Sequence, residues 1–168
     1  MKKGKCSLAV DRRDFLKLSG TAAVLAGSAT GKIQAFASSL PYKSVKVTNI
    51  KNLKEDQPIF FNYPDESSPA MLVKLGVEAI GGIGPQRDIV AFSALCTHQG
   101  CPLTYQKKRL VCACHYSMFD PAKNGQTYQG HASQWLPQIT LRLDSTTGDI
   151  YAEGIEGLVW GRSKNIIK

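Results

Sequence analysis

Six cysteine and histidine residues in one short stretch constrain this fold more than any other feature of the sequence. Residues 96–120 read CTHQGCPLTYQKKRLVCACHYSMFD and hold four of the five cysteines and two of the three histidines. Each half of the stretch offers one cysteine–histidine pair and one further cysteine. The pairs are Cys96 with His98 and Cys112 with His115, and the further cysteines are Cys101 and Cys114. A fold in which all six residues serve one site must bring together two loops that each carry cysteine and histidine.

Two simpler interpretations explain fewer of these residues. A structural zinc site of two cysteines and two histidines usually places both cysteines on one knuckle and both histidines on another. Here each knuckle is mixed, and two extra cysteines recur at matched places. A pure disulfide framework suits an exported protein but leaves both histidines without a role.

The motifs CTHQGC and CACHYSMFD resemble the paired ligand motifs of Rieske proteins, in which two cysteines and two histidines hold a 2Fe–2S cluster. The resemblance implies that Cys96 and Cys112 bind one iron, and that His98 and His115 bind the other. It further implies a disulfide between the two spare cysteines, Cys101 and Cys114, that ties the ligand loops together.

Replacing two thiolates with neutral imidazoles makes the oxidised cluster less negative, so its reduction potential rises by several hundred millivolts in order of magnitude. Groups that donate hydrogen bonds to the sulfurs tune the potential further. High-potential members of the family carry a serine and a tyrosine at the positions of Ser117 and Phe119. Because Phe119 has no hydroxyl, we predict a potential below that of the quinol-oxidising type.

The N-terminal 37 residues predict a targeting segment. Arg12 and Arg13 precede a short apolar run and the sequence AFASS, a pattern that resembles a twin-arginine export signal. The segment holds seven basic and two acidic residues, which leaves 14 basic and 11 acidic residues in the remaining chain. Most of the net charge therefore belongs to this leader, and nucleic-acid binding is unsupported. An uncleaved membrane anchor is the alternative, although glycines and Lys32 interrupt the apolar run.

Residues 38–168 predict one all-β, antiparallel domain. Short runs rich in β-branched and aromatic residues, such as KSVKVTNI, PIFFNY, AMLVKLG, DIVAFS, QITLRLD and GDIYAEGI, are separated by clusters of Gly, Pro, Asn and Asp. Residues 95–136 interrupt this rhythm and predict an inserted cluster-binding subdomain. The resemblance implies a Rieske-type sandwich or barrel.

Longer stretches, among them GGIGPQRDIVAFSALCTHQGCPL and GLVWGRSKNI, resemble the small subunits of arsenite oxidases. That likeness implies a periplasmic heterodimer with a large molybdopterin and iron–sulfur subunit. This chain would pass electrons to a cytochrome c or an azurin-like blue-copper protein and would carry no substrate chemistry of its own. The alternative is a membrane-anchored Rieske subunit of a quinol:cytochrome c oxidoreductase.

Several other residues surround the predicted site. Glycines and a proline are expected to shape a third loop over the cluster, namely Gly125, Gly130 and Pro137. His131 is expected to be a solvated loop histidine, and residues 107–109 a solvated hairpin tip. Four residues are expected to be exposed, either as interface anchors or as shields against water: Leu103, Tyr105, Tyr116 and Trp135.

Overall fold

The computed structural model describes residues 42–166, so the predicted leader and Cys6 lie outside the described residues. The described chain is almost entirely β-structure, which confirms the predicted fold class. Its ten strands are β1 Val45–Asn49, β2 Ile59–Asn62, β3 Pro69–Lys74, β4 Ile89–Ser93, β5 Leu103–Gln106, β6 Arg109–Cys112, β7 Met118–Asp120, β8 Gln126–Gln129, β9 Gln138–Leu143 and β10 Asp149–Glu156. Two 3-10 turns occupy Ile50–Asn52 and Pro121–Lys123.

Six strands form the larger antiparallel sheet, in the order β1-β10-β9-β4-β3-β2. The central strand β4 is buried at every position, because both of its faces are covered. In β3, Met71 and Val73 enter the core shared with the smaller sheet, whereas Ala70 and Leu72 enter the core on the opposite side. The period-2 alternation of side chains thus supplies two cores from one strand.

The smaller sheet contains β5-β6-β7-β8 and is inserted between β4 and β9. It occupies the segment in which the sequence predicted an inserted subdomain, although its four strands were not recognised individually. Leu110 and Phe119 are paired across β6 and β7, and both are fully buried against the larger sheet. Packing against that sheet therefore stabilises strands of only three or four residues.

The tip of the β5–β6 hairpin is exposed at Lys107 and Arg109, as predicted, whereas Lys108 is anchored by ion pairs. Lys107 and Lys108 both have positive φ angles (48° and 63°), as a two-residue hairpin turn requires. Lys107 is exposed, but the Lys108 ammonium lies 2.8 Å from Glu55 Oε1 and 3.1 Å from Asp56 Oδ2 and also donates to the Leu75 carbonyl. This contact fastens the small sheet to the loop before β2.

Residues 157–166, here called the C-terminal strap, fold back over the domain. Arg162 makes a two-pronged ion pair with Asp65, with Nη1–Oδ2 and Nη2–Oδ1 distances of 2.5 and 2.8 Å. The Asn165 side chain accepts a hydrogen bond from the Val159 N–H at 2.9 Å and donates one to the Gly157 carbonyl at 2.6 Å. These bonds hold the strap in one conformation.

Among the residues that the structure describes, no helical segment is long and apolar enough to cross a membrane.

Candidate metal centre

The two predicted ligand loops have the same backbone hydrogen-bond pattern. In the first loop, the Cys96 carbonyl accepts from the Gly100 N–H, and the Cys96 N–H donates to the Cys101 carbonyl, both at 2.8 Å. In the second, the Cys112 carbonyl accepts from the Tyr116 N–H, and the Cys112 N–H donates to the Ser117 carbonyl, both at 2.9 Å. Each loop thus closes on its first cysteine and projects a histidine from its middle.

The residue four positions after each cysteine has a left-handed backbone. Gly100 has φ +71°, and Tyr116 has φ +55°. The first position requires glycine for a second reason, because a Cβ there would lie 2.3 Å from the ring of Trp160 in the C-terminal strap. The Tyr116 side chain faces solvent, with an exposed fraction of 67%.

A third loop, residues 130–136, covers both ligand loops. The backbone N–H groups of His131 and Ala132 donate to the Ser117 hydroxyl at 3.1 and 3.0 Å. The Gln134 carbonyl accepts from Thr97 in the first ligand loop at 2.8 Å. Gly130 lies so close to Ser117 that a Cβ would come within 2.4 Å of the Ser117 Cα. The predicted role of Gly130 in the third loop therefore agrees with the contacts.

The structure brings the four predicted ligand residues to one place. The rings of His98 and His115 lie 4.9 Å apart between centroids, at 83° to each other. Both Nδ1 atoms are buried and have no hydrogen-bond partner, and Cys96 and Cys112 are buried free cysteines. A buried polar atom without a partner costs about 1–3 kcal/mol. Two imidazole nitrogens without partners and two buried free thiols fit the nitrogen and sulfur donors that a Rieske cluster needs.

The Cys96 thiol stands in an environment that disfavours its thiolate form. Burial raises the pKa of the Cys96 thiol, the Cys112 thiol beside it raises that pKa further, and the His98 backbone N–H and the Ser117 hydroxyl lower it. Two neighbouring buried thiolates would therefore be costly without a positive charge between them, and bound iron supplies that charge.

Cys101 and Cys114 form a disulfide across the two ligand loops, as the resemblance implied. Cys112 Sγ lies within 4.8 Å of both disulfide sulfurs. These three sulfurs do not constitute a metal site, because the two that are joined offer no thiolate. The disulfide instead ties the loops that carry the predicted ligands.

His131 is an exposed loop histidine, as predicted, and its ring also contacts both predicted histidine ligands, which the sequence did not indicate. Its ring stacks on the His98 ring at 5.5 Å and 28°, and it meets the edge of the His115 ring at 6.3 Å and 88°. All three histidines of the chain therefore converge. Ligand spacing could not reveal this position, since the third loop is brought over the site by its bonds to Ser117 and Thr97.

Two of the four expected surface residues are placed differently from the prediction. Leu103 is buried in the core, because it faces the larger sheet from β5. Tyr105 is half-buried and donates to Asp56 beside Lys108. Tyr116 and Trp135 are exposed as predicted, with fractions of 67% and 53%.

Ser117 and Phe119 differ in what they offer the cysteine sulfurs. The Ser117 hydroxyl accepts the two backbone N–H groups of the third loop, and it lowers the pKa of the neighbouring Cys96 thiol. Phe119 is fully buried in the same core cluster as Cys96 and Cys112. Its ring contributes packing and no hydrogen bond.

Residues 43–140 match the family described as Rieske [2Fe-2S] domain. The chain is 42% identical to "Iodate reductase subunit IdrB" of Denitromonas iodatirespirans, over 93% of this chain and 86% of that protein. It is 41% identical to the subunit of the same name from Pseudomonas sp. (strain SCT), over 90% and 82%. Among solved structures, the soluble domain of Rieske protein II (soxF) from Sulfolobus acidocaldarius superposes with a TM-score of 0.65 at 28% identity, covering 73% of this chain and 82% of that one.

Proposed function

Because the chain belongs to the Rieske 2Fe–2S protein family, we propose that it is the electron-transfer subunit of an oxyanion oxidoreductase complex. We further propose that Cys96 and Cys112 hold one iron of its cluster, and His98 and His115 the other. The observation that carries the ligand assignment is that the two facing loops hold two buried free thiols and two buried imidazole Nδ1 atoms that lack partners.

When bound, the cluster supplies reversible one-electron chemistry at a potential raised by its two imidazole ligands. The chain's own residues orient and insulate that group. The disulfide ties the two ligand loops, Ser117 lowers the pKa of the Cys96 thiol, and the third loop covers the site from the side of His98.

The proposed partner is a large catalytic subunit that carries molybdopterin and its own iron–sulfur cluster. Two substrates are compatible with such a complex. The relatives named iodate reductase subunits, which this chain matches over nine-tenths of its length, favour iodate, with electrons entering through this subunit. The resemblance to arsenite oxidase small subunits favours arsenite, with electrons leaving through it. The direction of electron flow therefore separates the two proposals.

The proposed docking face surrounds the ligand loops. Tyr116, Trp135 and Trp160 are exposed, and the ring of Trp160 lies against Gly100 in the first loop. Exposed aromatic side chains supply much of the binding energy in protein interfaces. A partner that covers these rings comes close to the imidazole edges of His98 and His115, which shortens the electron path.

We place the complex in the periplasm, exported in the folded state by the twin-arginine route. A cytochrome c or an azurin-like protein would exchange electrons with it there. The support for this location is the arginine pair and the small residues before Ser38, all of which lie outside the described part of the chain.

The decisive experiment uses the native complex, co-purified through this subunit. Iodate reductase activity predicts iodate-dependent oxidation of a reduced dye, whereas arsenite oxidase activity predicts arsenite-dependent reduction of an oxidised dye. A variant lacking both ligand histidines (His98→Ala with His115→Ala) should abolish transfer to the external carrier. A complex that turns over neither oxyanion would reject the substrate class.

The alternative is an anchored subunit of a quinol-oxidising complex. It is favoured by a 70-residue match, at 39% identity, to the "Cytochrome bc1 complex Rieske iron-sulfur subunit" of Corynebacterium efficiens, which covers 40% of this chain and 17% of that protein. N-terminal sequencing of the exported protein separates the two proposals. A start near Ser38 supports a released subunit, and a start at Met1 supports an anchored one.

A further inference from the structure

The third histidine of the chain lies against the site although it comes from a different loop. His131 is 33 positions after His98 in the sequence, yet the two rings are nearly parallel, with centroids 5.5 Å apart. The ring of His131 also meets the edge of the His115 ring. Within residues 42–166, it is therefore the one residue outside the ligand motifs whose ring contacts both predicted histidine ligands.

The backbone holds His131 in this position independently of its side chain. Its N–H and that of Ala132 both donate to the buried Ser117 hydroxyl. Gly130, with φ +91°, lets the chain pass against Ser117 where any Cβ would collide. A change of the His131 side chain therefore leaves the loop fastened, so the effect of the ring can be isolated.

We infer that His131 is a positioning residue of the cluster site, whose ring covers one face of the His98 ring, excludes water from it and fixes its plane. This inference rests on the proposed function, because it requires His98 to be a ligand. Offset stacking of neighbouring rings is a favourable geometry, and solvent access is one of the properties that set the potential of an iron–sulfur centre. His131 does not belong to a ligand motif, because in this role it binds no iron and acts only through the His98 ring.

The expected effect has a definite direction. Reduction adds negative charge at the site, and water stabilises that charge better than a ring does. Removing the ring should therefore raise the midpoint potential and let the His98 ring take up a wider range of orientations, which broadens the spin-resonance lines of the reduced protein.

The test compares His131→Ala with His131→Phe in the cluster-loaded protein. Neither replacement carries a charge, so the difference between them reports the ring alone. We expect the alanine variant to have the higher midpoint potential and the broader spectrum, and the phenylalanine variant to lie closer to the wild type in both. Ser133→Ala, an exposed change in the same loop, should leave both readouts unchanged.

Equal potentials and equal line widths for the alanine and phenylalanine variants would overturn the role of His131 while leaving the proposed function standing. A wild-type protein that shows no iron–sulfur spectrum after reduction would overturn the proposed function and this inference together. Thermal unfolding of each variant checks that the loop remains in place.

Discussion

Ser117 combines structural and electronic roles in a single buried hydroxyl. It accepts two backbone N–H groups from the third loop, and it lies close enough to the Cys96 sulfur to lower the pKa of that thiol. A donor to a ligand sulfur stabilises the more negative, reduced state and so raises the potential. Phe119, buried in the same cluster of side chains, provides no second donor. The residue that tunes the proposed cluster is therefore also the one that holds its cover.

Phe119→Tyr should raise the midpoint potential, because the new hydroxyl can donate to a ligand sulfur. A hydrogen bond worth about 1 kcal/mol more in the reduced state corresponds to a rise on the order of 50 mV for a one-electron couple. A redox titration followed by spin resonance measures the change.

Phe92→Tyr is the matched control. It also adds a hydroxyl to a fully buried ring of the same core, but it stands on β4 of the larger sheet. We expect both variants to lose stability and only the first to shift the potential. An unchanged midpoint potential in Phe119→Tyr would show that the side chain at this position contributes only packing.

For individual residues, the sequence identified those site residues whose spacing along the chain is set by the chemistry of a ligand motif. The residues proposed as ligands and the disulfide cysteines follow from two short motifs, and the structure brings all six together. His131 and Trp160 carry no such pattern, because their contacts with His98 and Gly100 join segments far apart in the chain. Leu103 and Tyr105 were mistaken for surface residues, since only the packing of the small sheet decides which way β5 faces.

At the scale of elements, the two ligand loops share one backbone conformation but carry different residues at the same position of the loop. Both need a left-handed residue four positions after the cysteine, and only one of those positions is covered by another side chain. The loop beneath Trp160 therefore has glycine, whereas the open loop carries Tyr116. The strap that places Trp160 is thus part of the architecture of the site.

Gly100→Ala should destabilise the protein by about 2–3 kcal/mol, through the left-handed backbone and the collision with the Trp160 ring. Gly161→Ala is a close control, because Gly161 also has positive φ (+77°) but has no atom within 4 Å of the added Cβ. We expect it to cost only the backbone contribution, about 1 kcal/mol. Thermal unfolding of both variants measures the difference, and equal losses would mean that Trp160 does not press on the loop.

The strap should respond to pH through Asp65. The Arg162 guanidinium holds the pKa of Asp65 far below its ordinary value of 3.8, so the ion pair stabilises the fold above that value and is lost as the pH falls toward the lowered pKa. Asp65 is 36% exposed, so solvent screening limits the gain to about 1 kcal/mol.

Asp65→Asn should therefore lower stability at about pH 7, and the difference from the wild type should shrink as the pH drops below about 4. Urea unfolding at several pH values measures it. Glu66→Gln, at the next position, serves as the control because Glu66 makes no ion pair in the described chain. A difference between Asp65→Asn and wild type that persists unchanged at low pH would contradict the ion-pair account.

The larger sheet could be predicted from sequence, because its strands are runs of four to eight residues rich in β-branched and aromatic side chains and are separated by clear turns. The smaller sheet could not, since its strands have only three or four residues and alternate with polar positions. Their stability comes from packing on the larger sheet and from the Lys108 contacts with Glu55 and Asp56. Neither contribution is visible in local sequence.

For the molecule as a whole, the predicted ligands lie at loops with exposed aromatic neighbours, and this arrangement sets what a partner can reach. Tyr116→Ala should weaken association with the catalytic subunit about tenfold or more, as expected for an aromatic anchor, with the cluster spectrum unchanged. Binding measurements on the purified subunits test this.

Tyr128→Ala is the control for that experiment. Tyr128 is 49% exposed, and it lines a cavity with Lys107 and Arg109 near the β5–β6 turn, away from the ligand loops. Unchanged binding for Tyr116→Ala together with an altered potential would assign the ring to shielding. The sequence alone did not separate these roles, because exposure and partner contact are properties of the assembled molecule.

The most direct test of the central claim is the metal content and spin state of the full-length protein purified with its cofactor. The account predicts two iron and two sulfide per chain, and after reduction with dithionite a low-temperature spin-resonance spectrum with nitrogen couplings from two imidazoles. Zinc in place of iron, or no spectrum after reduction, would contradict the account.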